Sequence, residues 1–388
     1  MDGAVNARRV MIVAGEASGD LHGGRLVQSM RGIDPSLLFY GMGGNSMRQE
    51  GVERVADAAD MAVVGLTEVV SKLRAILRVM RRLKASFKEA RPDLVILIDY
   101  PDFNLPLARA AKKQGIPVLY YISPQVWAWR KGRIDTIRNN VDRMAVILPF
   151  EEEIYRNAGV NVSFVGHPLL DEVRTKYDRP QALKRFGLRE EAVTVGILPG
   201  SRRSEVSRLL PEMLAACRIM KERISPLQFV LPFAGTLDPD FVQEIVRQFP
   251  FKVNVIRNEI YDLIAVSDVV MVASGTATLE TALLETPMVI VYKVSAASYA
   301  VGRRFIRVDH IGLPNIIAGR TIVPELIQRN ATGERIAAEA IELVVRRDKA
   351  REMRTALAGI RGKLGTPGAS QRTARIACDM LSHHNGGG

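Results

Sequence analysis

Cysteine is nearly absent from these 388 residues: there are two, Cys217 and Cys378. They lie far apart, in no CxxC or other metal-type spacing. That argues against a disulfide framework and a zinc site, and points to a reducing compartment. Histidine is also scarce, at five residues. No uncharged apolar run is long enough to span a bilayer, so any membrane contact is expected to be peripheral. Arg8 and Arg9 precede only a short apolar run, Val10 to Ala14, and then a glycine-rich turn. That run is too short for the core of a signal peptide. Missing too are the Lys-Ser/Thr of a P-loop and the GxGxxG fingerprint, and any RNP, KH or helix-turn-helix signature. Aromatics are 6% of the chain and do not interleave with its basic run, as a stacking platform for single strands requires. Nucleic acid is therefore not an expected partner, although the formal net charge is +12. Phosphorylated substrates and anionic lipid remain as readings of that charge.

What is present is a folded α/β pattern. Hydrophobic residues make up 47% and charged residues 25%, and the length suits two domains. Apolar strand-like runs alternate with helix-like segments. The first set of strands is expected at Arg9–Ala14, Leu37–Gly41, Leu94–Ile98, Pro117–Ile122, Arg143–Leu148 and Val162–Val165. Near Gly166–His167–Pro168 the alternation breaks, and the polar stretch Asp171–Arg189 reads as a connection. It then restarts, with strands expected at Val193–Leu198, Gln228–Pro232, Lys252–Val255, Val269–Ala273 and Met288–Tyr292. The expected domains are 1–170 and 171–388, with the terminal helices packing back on the first. Such alternation gives two Rossmann-like domains whose parallel sheets face an interdomain cleft, with ligands beyond the carboxyl ends of strands.

Five loops after strands carry candidate chemistry. In Gly15–Asp20 the glycines permit close backbone approach. Glu16 and Ser18 sit at the cleft-facing edge and His22 lies one turn on; the same pattern fits a turn in which Asp20 caps the next helix. In Asp99–Asn104 a carboxylate ends the wholly apolar strand Leu94–Ile98. Partial burial tunes such a group toward a general base. Asp99 is the expected base and Asp102 or Asn104 the cap of a helix near Leu105; Glu16, Asp102 and His22 are the rival bases. The loop Ser123–Arg130 holds both tryptophans, Trp127 and Trp129, beside Arg130, Lys131 and Arg133. It suits a sugar or acyl chain carrying phosphate, or simply an anchored loop. Gly200, Ser201 and Arg202 enter a helix whose N-terminus is suited to phosphate. Ser274, Gly275 and Thr276 repeat that logic, with Glu280 one turn after Thr276. Asp238–Pro239–Asp240 spells a metal-type Asp-x-Asp, but Pro239 fits a first helical position, so Asp238 reads as an N-cap. No metal and no cofactor are expected.

Residues 66–88 form a basic amphipathic pattern, with apolar positions at 66, 69, 70, 73, 76, 77, 80 and 83. From Leu77 onward the helix is expected to pack in the core. Val63, Val64, Leu66, Val69 and Val70 are the expected membrane contact.

Taken together and in order, six strings closely resemble the lipid-A-disaccharide synthase family. They are Ala14–Asp20, Asp99–Asn104, Ser123–Trp129, Leu198–Arg202, Ser274–Glu280 and Leu313–Pro314–Asn315. The resemblance covers about Val10 to Leu326 and implies a GT-B glycosyltransferase fold. It further implies inverting transfer from UDP-2,3-diacylglucosamine to 2,3-diacylglucosamine 1-phosphate, giving a β-1′,6-linked disaccharide and UDP in lipid A biosynthesis. By position it implies Asp99 as the catalytic aspartate, Arg202, Glu280 and Asn315 as UDP contacts, and Val63–Ile76 as a membrane-facing segment. Expected partners are those two substrates, the cytoplasmic face of the inner membrane, and a second copy in a homodimer. The nearest alternative is a UDP-N-acetylglucosamine 2-epimerase of the same fold.

Overall fold

A computed structural model describes residues 7–57, 69–124, 126, 132–233, 237–295 and 309–383, with side chains described throughout except at 69–73. The chain forms two compact units. One comprises Met1–Pro168 with Leu364–Gly388, the other Leu169–Lys363.

Unit 1 is built on seven parallel strands: β1 (Arg9–Ala14), β2 (Leu38–Gly43), β3 (Glu53–Asp57), β4 (Leu94–Ile98), β5 (Val118–Tyr121), β6 (Arg143–Val146) and β7 (Val162–Phe164). Their order is β3-β2-β1-β4-β5-β6-β7. The unbroken apolar character of β1 and β4 follows from cover on both faces. Val10, Ile12 and Ala14 of β1 and Leu94, Ile96 and Ile98 of β4 enter one core layer, with Leu26 and Met30 of α1 (Ala17–Ile33) and Ala374, Ala377 and Leu381 of α16 (Ala369–His383). Met11, Val13, Val95 and Leu97 point the other way. They meet Val79, Leu83 and Phe87 of α3 (Val69–Glu89), Leu107 of α4 (Pro101–Lys112) and Ile137 of α5 (Arg133–Asn140). Leu77 does not begin the packed half of α3: it is 48% exposed, and burial instead follows the 79, 83, 87 stripe.

Unit 2 repeats the plan with β8 (Val193–Leu198), β9 (Leu227–Phe233), β10 (Asn254–Arg257), β11 (Val269–Ala273), β12 (Met288–Tyr292) and β13 (Glu325–Ile327). Their order is β10-β9-β8-β11-β12-β13, again parallel. The polar stretch Asp171–Arg189 is not a bare connection. Asp178 caps the helix Arg179–Arg185, Lys176 N and Tyr177 N donate to Asp262, and Ala182, Leu183 and Leu188 join a core cluster with Leu263. No helix among the described residues is long and apolar enough to cross a membrane.

Candidate functional site

In both parallel sheets the strand order switches side at one place, between β1 and β4 in unit 1 and between β8 and β11 in unit 2. The loops leaving those strands are where an open α/β sheet collects ligands. In unit 1, Ala14 pairs with Ile98 and Ile98 with Tyr121, so the loops starting at Gly15, Asp99 and Ile122 leave from neighbouring positions.

Asp99 stands on unusual backbone. Asp99 and Tyr100 are both left-handed, at φ 46° and 47°, and Ile122 beside them is at 64°. Left-handed geometry costs a non-glycine residue on the order of 1–2 kcal/mol, so the surroundings must hold it. Tyr120 Oη donates to the Asp99 carbonyl at 2.6 Å, and Asn104 Nδ2 donates to the same oxygen at 2.7 Å and to the Ile98 carbonyl at 3.1 Å. The Tyr100 ring lies against the backbone of Gly15, where a Cβ would come within 2.3 Å of it. This contact accounts for the glycine.

Burial, and then the negative charge of Glu16, raise the Asp99 carboxyl to a pKa of about 6. The rivals differ. His22 is driven down to about 4 by burial and then by Arg25, so it is neutral and only weakly basic near pH 7. Asp102 is 71% exposed and paired with Arg133. Glu16 and Ser18 are exposed at the rim. A base poised near neutral pH is the effective one, and between Asp99 and His22 it is Asp99 that comes nearer.

Two capping readings, the alternative one for Asp20 and the expected one for Asp102 or Asn104, fail. Asp20 lies inside α1 and does not cap it. Its carboxylate accepts instead from the amides of Gly44 (2.7 Å), Ser46 (2.9 Å) and Met47 (3.1 Å), closing the start of the short helix Asn45–Gln49. Helix α4 begins at Pro101 rather than near Leu105. Neither Asp102 nor Asn104 caps it, because Tyr100 occupies the N-cap position and Asn104 is turned onto the Asp99 carbonyl.

In unit 2, Leu198 of β8 pairs with Val272 of β11, so the Gly200 and Ser274 loops also leave side by side. Arg202 is the N-cap residue of α9 (Arg203–Arg223). Glu205 folds back over this turn. It accepts from the amides of Ser201 (3.3 Å) and Arg202 (3.4 Å) and pairs with the Arg202 guanidinium at 3.0 Å. A carboxylate therefore lies on the donors suited to a phosphate. Gly200, at φ 109°, has no room for a side chain against Glu205. Ser274 Oγ donates to the Ile311 carbonyl, and Gly275 leads into α12 (Thr276–Leu283). Glu280 accepts from Tyr261 Oη at 3.1 Å, and burial raises its pKa.

Asn315 departs from its expected role as a direct UDP contact. It is fully buried. Its Nδ2 donates to Val323 O and Glu325 Oε1, and its Oδ1 accepts from the amides of Ile322 and Val323. Four hydrogen bonds use the whole capacity of an amide side chain. Its work is to hold Glu325, which accepts from the amides of Ile311 and Gly312. Asp238 is an N-cap, accepting from Asp240 N at 3.0 Å. Trp127, Trp129, Arg130, Val63, Val64 and Leu66 lie outside the described residues, as do the side chains of Val69 and Val70.

Sequence reasoning missed Tyr120, Glu205, Tyr261 and Glu325. Only Glu205 had a local signal, a glutamate three residues after an N-cap. The others act across strands or loops that no spacing rule links.

Comparison with known proteins sets this geometry in a family. The lipid-A-disaccharide synthetase family model matches residues 10–377. The lipid-A-disaccharide synthase of Syntrophus aciditrophicus is 59% identical, over 97% of this chain and 99% of that protein. That of Geobacter sulfurreducens is 50% identical, over 97% and 98%. Solved structures with the same fold include a UDP-GlcNAc 2-epimerase from Neisseria meningitidis bound to UDP-GlcNAc, at TM-score 0.62 and 11% identity, over 97% of this chain and all of that one. An S. aureus MnaA–UDP co-structure has TM-score 0.65 and 13% identity, over 97% of each chain. At such identities the likeness speaks for the GT-B fold alone. With strand order, loop chemistry and near full-length identity in agreement, the chain belongs to the lipid-A-disaccharide synthase family of glycosyltransferases.

Proposed function

We propose that the chain joins UDP-2,3-diacylglucosamine to 2,3-diacylglucosamine 1-phosphate, releasing UDP and forming the β-1′,6-linked disaccharide of lipid A biosynthesis. The observation that carries the catalytic part is Asp99: a carboxylate at the end of a wholly buried strand, held on strained backbone, with its pKa raised to about 6. On this reading Asp99 takes the proton from the acceptor 6-hydroxyl as that oxygen attacks the sugar C1. The C1–O bond to UDP breaks on the opposite face, and α-linked donor becomes β-linked product. Glu16 and Ser18 border the acceptor, with Trp127, Trp129 and Arg130 supplied by the following loop.

Unit 2 holds the nucleotide. The amides and side chains of Gly200, Ser201, Arg202, Ser274, Gly275 and Thr276 receive the diphosphate at two helix N-termini. Glu280 accepts from the ribose, and Asn315 shapes the pocket from behind. Phosphate contact requires Glu205 to release Arg202.

The chain works at the cytoplasmic face of the inner membrane as a peripheral protein. Arg74, Arg78, Arg81, Arg82, Lys84 and Lys88 of α3 are exposed, which supports attraction to anionic lipid. Val63, Val64, Leu66, Val69 and Val70 supply the apolar contact.

Mass spectrometry after incubation with both lipid sugars tests the reaction: a diacylglucosamine disaccharide 1-phosphate and UDP are expected. Conversion of UDP-N-acetylglucosamine alone to its 2-epimer, with no disaccharide, would replace this reading by the epimerase one.

A further inference from the structure

A cavity opens in unit 1 beside the Asp99 loop, between α3, α4 and α5. Its volume is about 390 Å³. Three helices each bring one cation to it, Lys84, Arg109 and Arg133, and Leu105 and Thr136 form part of the wall. The acid in the lining is Asp102, which pairs with Arg133. Among the described residues, neither Lys84 nor Arg109 has an ion-pair partner.

Cations outnumber the acid in this lining. The Arg133 side chain is only 13% exposed, while the Asp102 carboxylate paired with it is 71% exposed and screened by water. Two further cations share the same space and repel Arg133 and each other. A compact dianion entering the cavity meets three charge-assisted donors from three directions, the geometry in which phosphate is held best. The cavity adjoins the candidate base along the chain: Pro101 and Asp102, both in its lining, directly follow the Asp99–Tyr100 turn.

We propose that the cavity binds the phosphate monoester of the acceptor sugar, with Lys84 and Arg109 as specificity-determining residues and Arg133 shared between the phosphate and Asp102. The inference rests on the transferase reading above and extends the cationic site from one loop to three helices.

The test compares 2,3-diacylglucosamine 1-phosphate with its dephosphorylated form as acceptor, in wild type and in Lys84→Ala/Arg109→Ala. Both residues are exposed, so the fold should survive, and thermal unfolding checks it. In wild type, kcat/KM favours the phosphorylated acceptor. In the double variant that preference should fall by about 10-fold or more, as expected for lost hydrogen bonds to a charged group, with the KM for the UDP-sugar unchanged. Arg109→Lys, which keeps the charge, should retain most of the preference. A double variant that keeps the full wild-type preference overturns the proposal while leaving the transferase reading intact. So does one that keeps it but loses binding to phosphatidylglycerol vesicles, since the cations then serve the membrane. If wild type makes disaccharide from neither acceptor, the transferase reading falls and this inference with it.

Discussion

The two sheets share a strand order and a switch point, yet their edges carry opposite chemistry. At the edge of unit 1, a carboxylate is half-buried on left-handed backbone beside a second acid, Glu16, which pushes its proton affinity up. At the edge of unit 2, small residues lead into helix N-termini, and the acid present, Glu205, is drawn onto amide donors and an arginine. One edge makes an anion uncomfortable and the other makes it welcome. The fold supplies the place; the two or three residues after each strand decide whether an anion there is destabilised or accommodated.

The largest expected effect separates these roles. Asp99→Asn keeps size and shape but removes the proton acceptor, so kcat should fall by about 10²–10⁴-fold. UDP affinity, measured by calorimetry, should stay at the wild-type value. A parallel loss of UDP binding would mean that the division of labour is wrong.

In unit 2 the effects lie in affinity and have opposite signs. Arg202→Ala should weaken UDP binding by about 1.5 kcal/mol, the low end for a charged hydrogen bond because Arg202 is exposed. Glu205→Gln keeps the cap but removes the competing charge, so UDP should bind more tightly, more so at low salt. If Glu205→Gln binds UDP more weakly than wild type, Glu205 belongs to the binding site rather than competing for it.

Tyr120→Phe sharpens the account of unit 1. It removes one of two side-chain donors to the Asp99 carbonyl and should cost about 1 kcal/mol of stability. A drop in kcat larger than any change in KM, with a displaced pH profile, would mark Tyr120 as positioning Asp99. Loss of stability alone would not.

The pH effects are smaller. A base at about 6 predicts turnover that declines as pH falls below that value. The stability effect runs the other way. The folded-state pKa of Asp99 lies above its ordinary value of 3.8, so the folded protein holds this proton more tightly. Its contribution is present below about pH 4 and is lost as pH rises through about 6. Asp99→Asn should therefore raise the melting temperature relative to wild type more at pH 8 than at pH 5. The smallest expected effect is none at all: on the proposed reading, in which helix N-termini and Arg202 meet the diphosphate, excess EDTA should leave turnover unchanged.

Much of this was legible in the sequence, for a physical reason. Strands buried on both faces need continuous apolar runs, so β1, β4, β8, β11 and β12 are recognisable within a residue or two of their ends. The edge strands β3 and β13 were not. Glu53 and Arg54 in one and Glu325 in the other break the apolar run, because an edge needs less cover. Asp99 was legible as a carboxylate ending a buried strand. Its support was not, since Tyr120 reaches it from the neighbouring strand. The role of Asp20 was hidden because a local cap and a long-range cap within the chain use the same residue type.

The way unit 1 is completed has a consequence for how the chain is made. Its core layer includes Ala374, Ala377 and Leu381, and Arg372 Nε donates to the Val165 carbonyl at 2.8 Å. These residues leave the ribosome only after all of unit 2 has been synthesised. Domains usually mature in order from the N-terminus; here the contiguous second unit can finish first, while the first waits with Leu26, Met30 and Val165 uncovered. A nascent chain stalled at residue 363 would expose that apolar layer, and would be a ready substrate for chaperones and proteases.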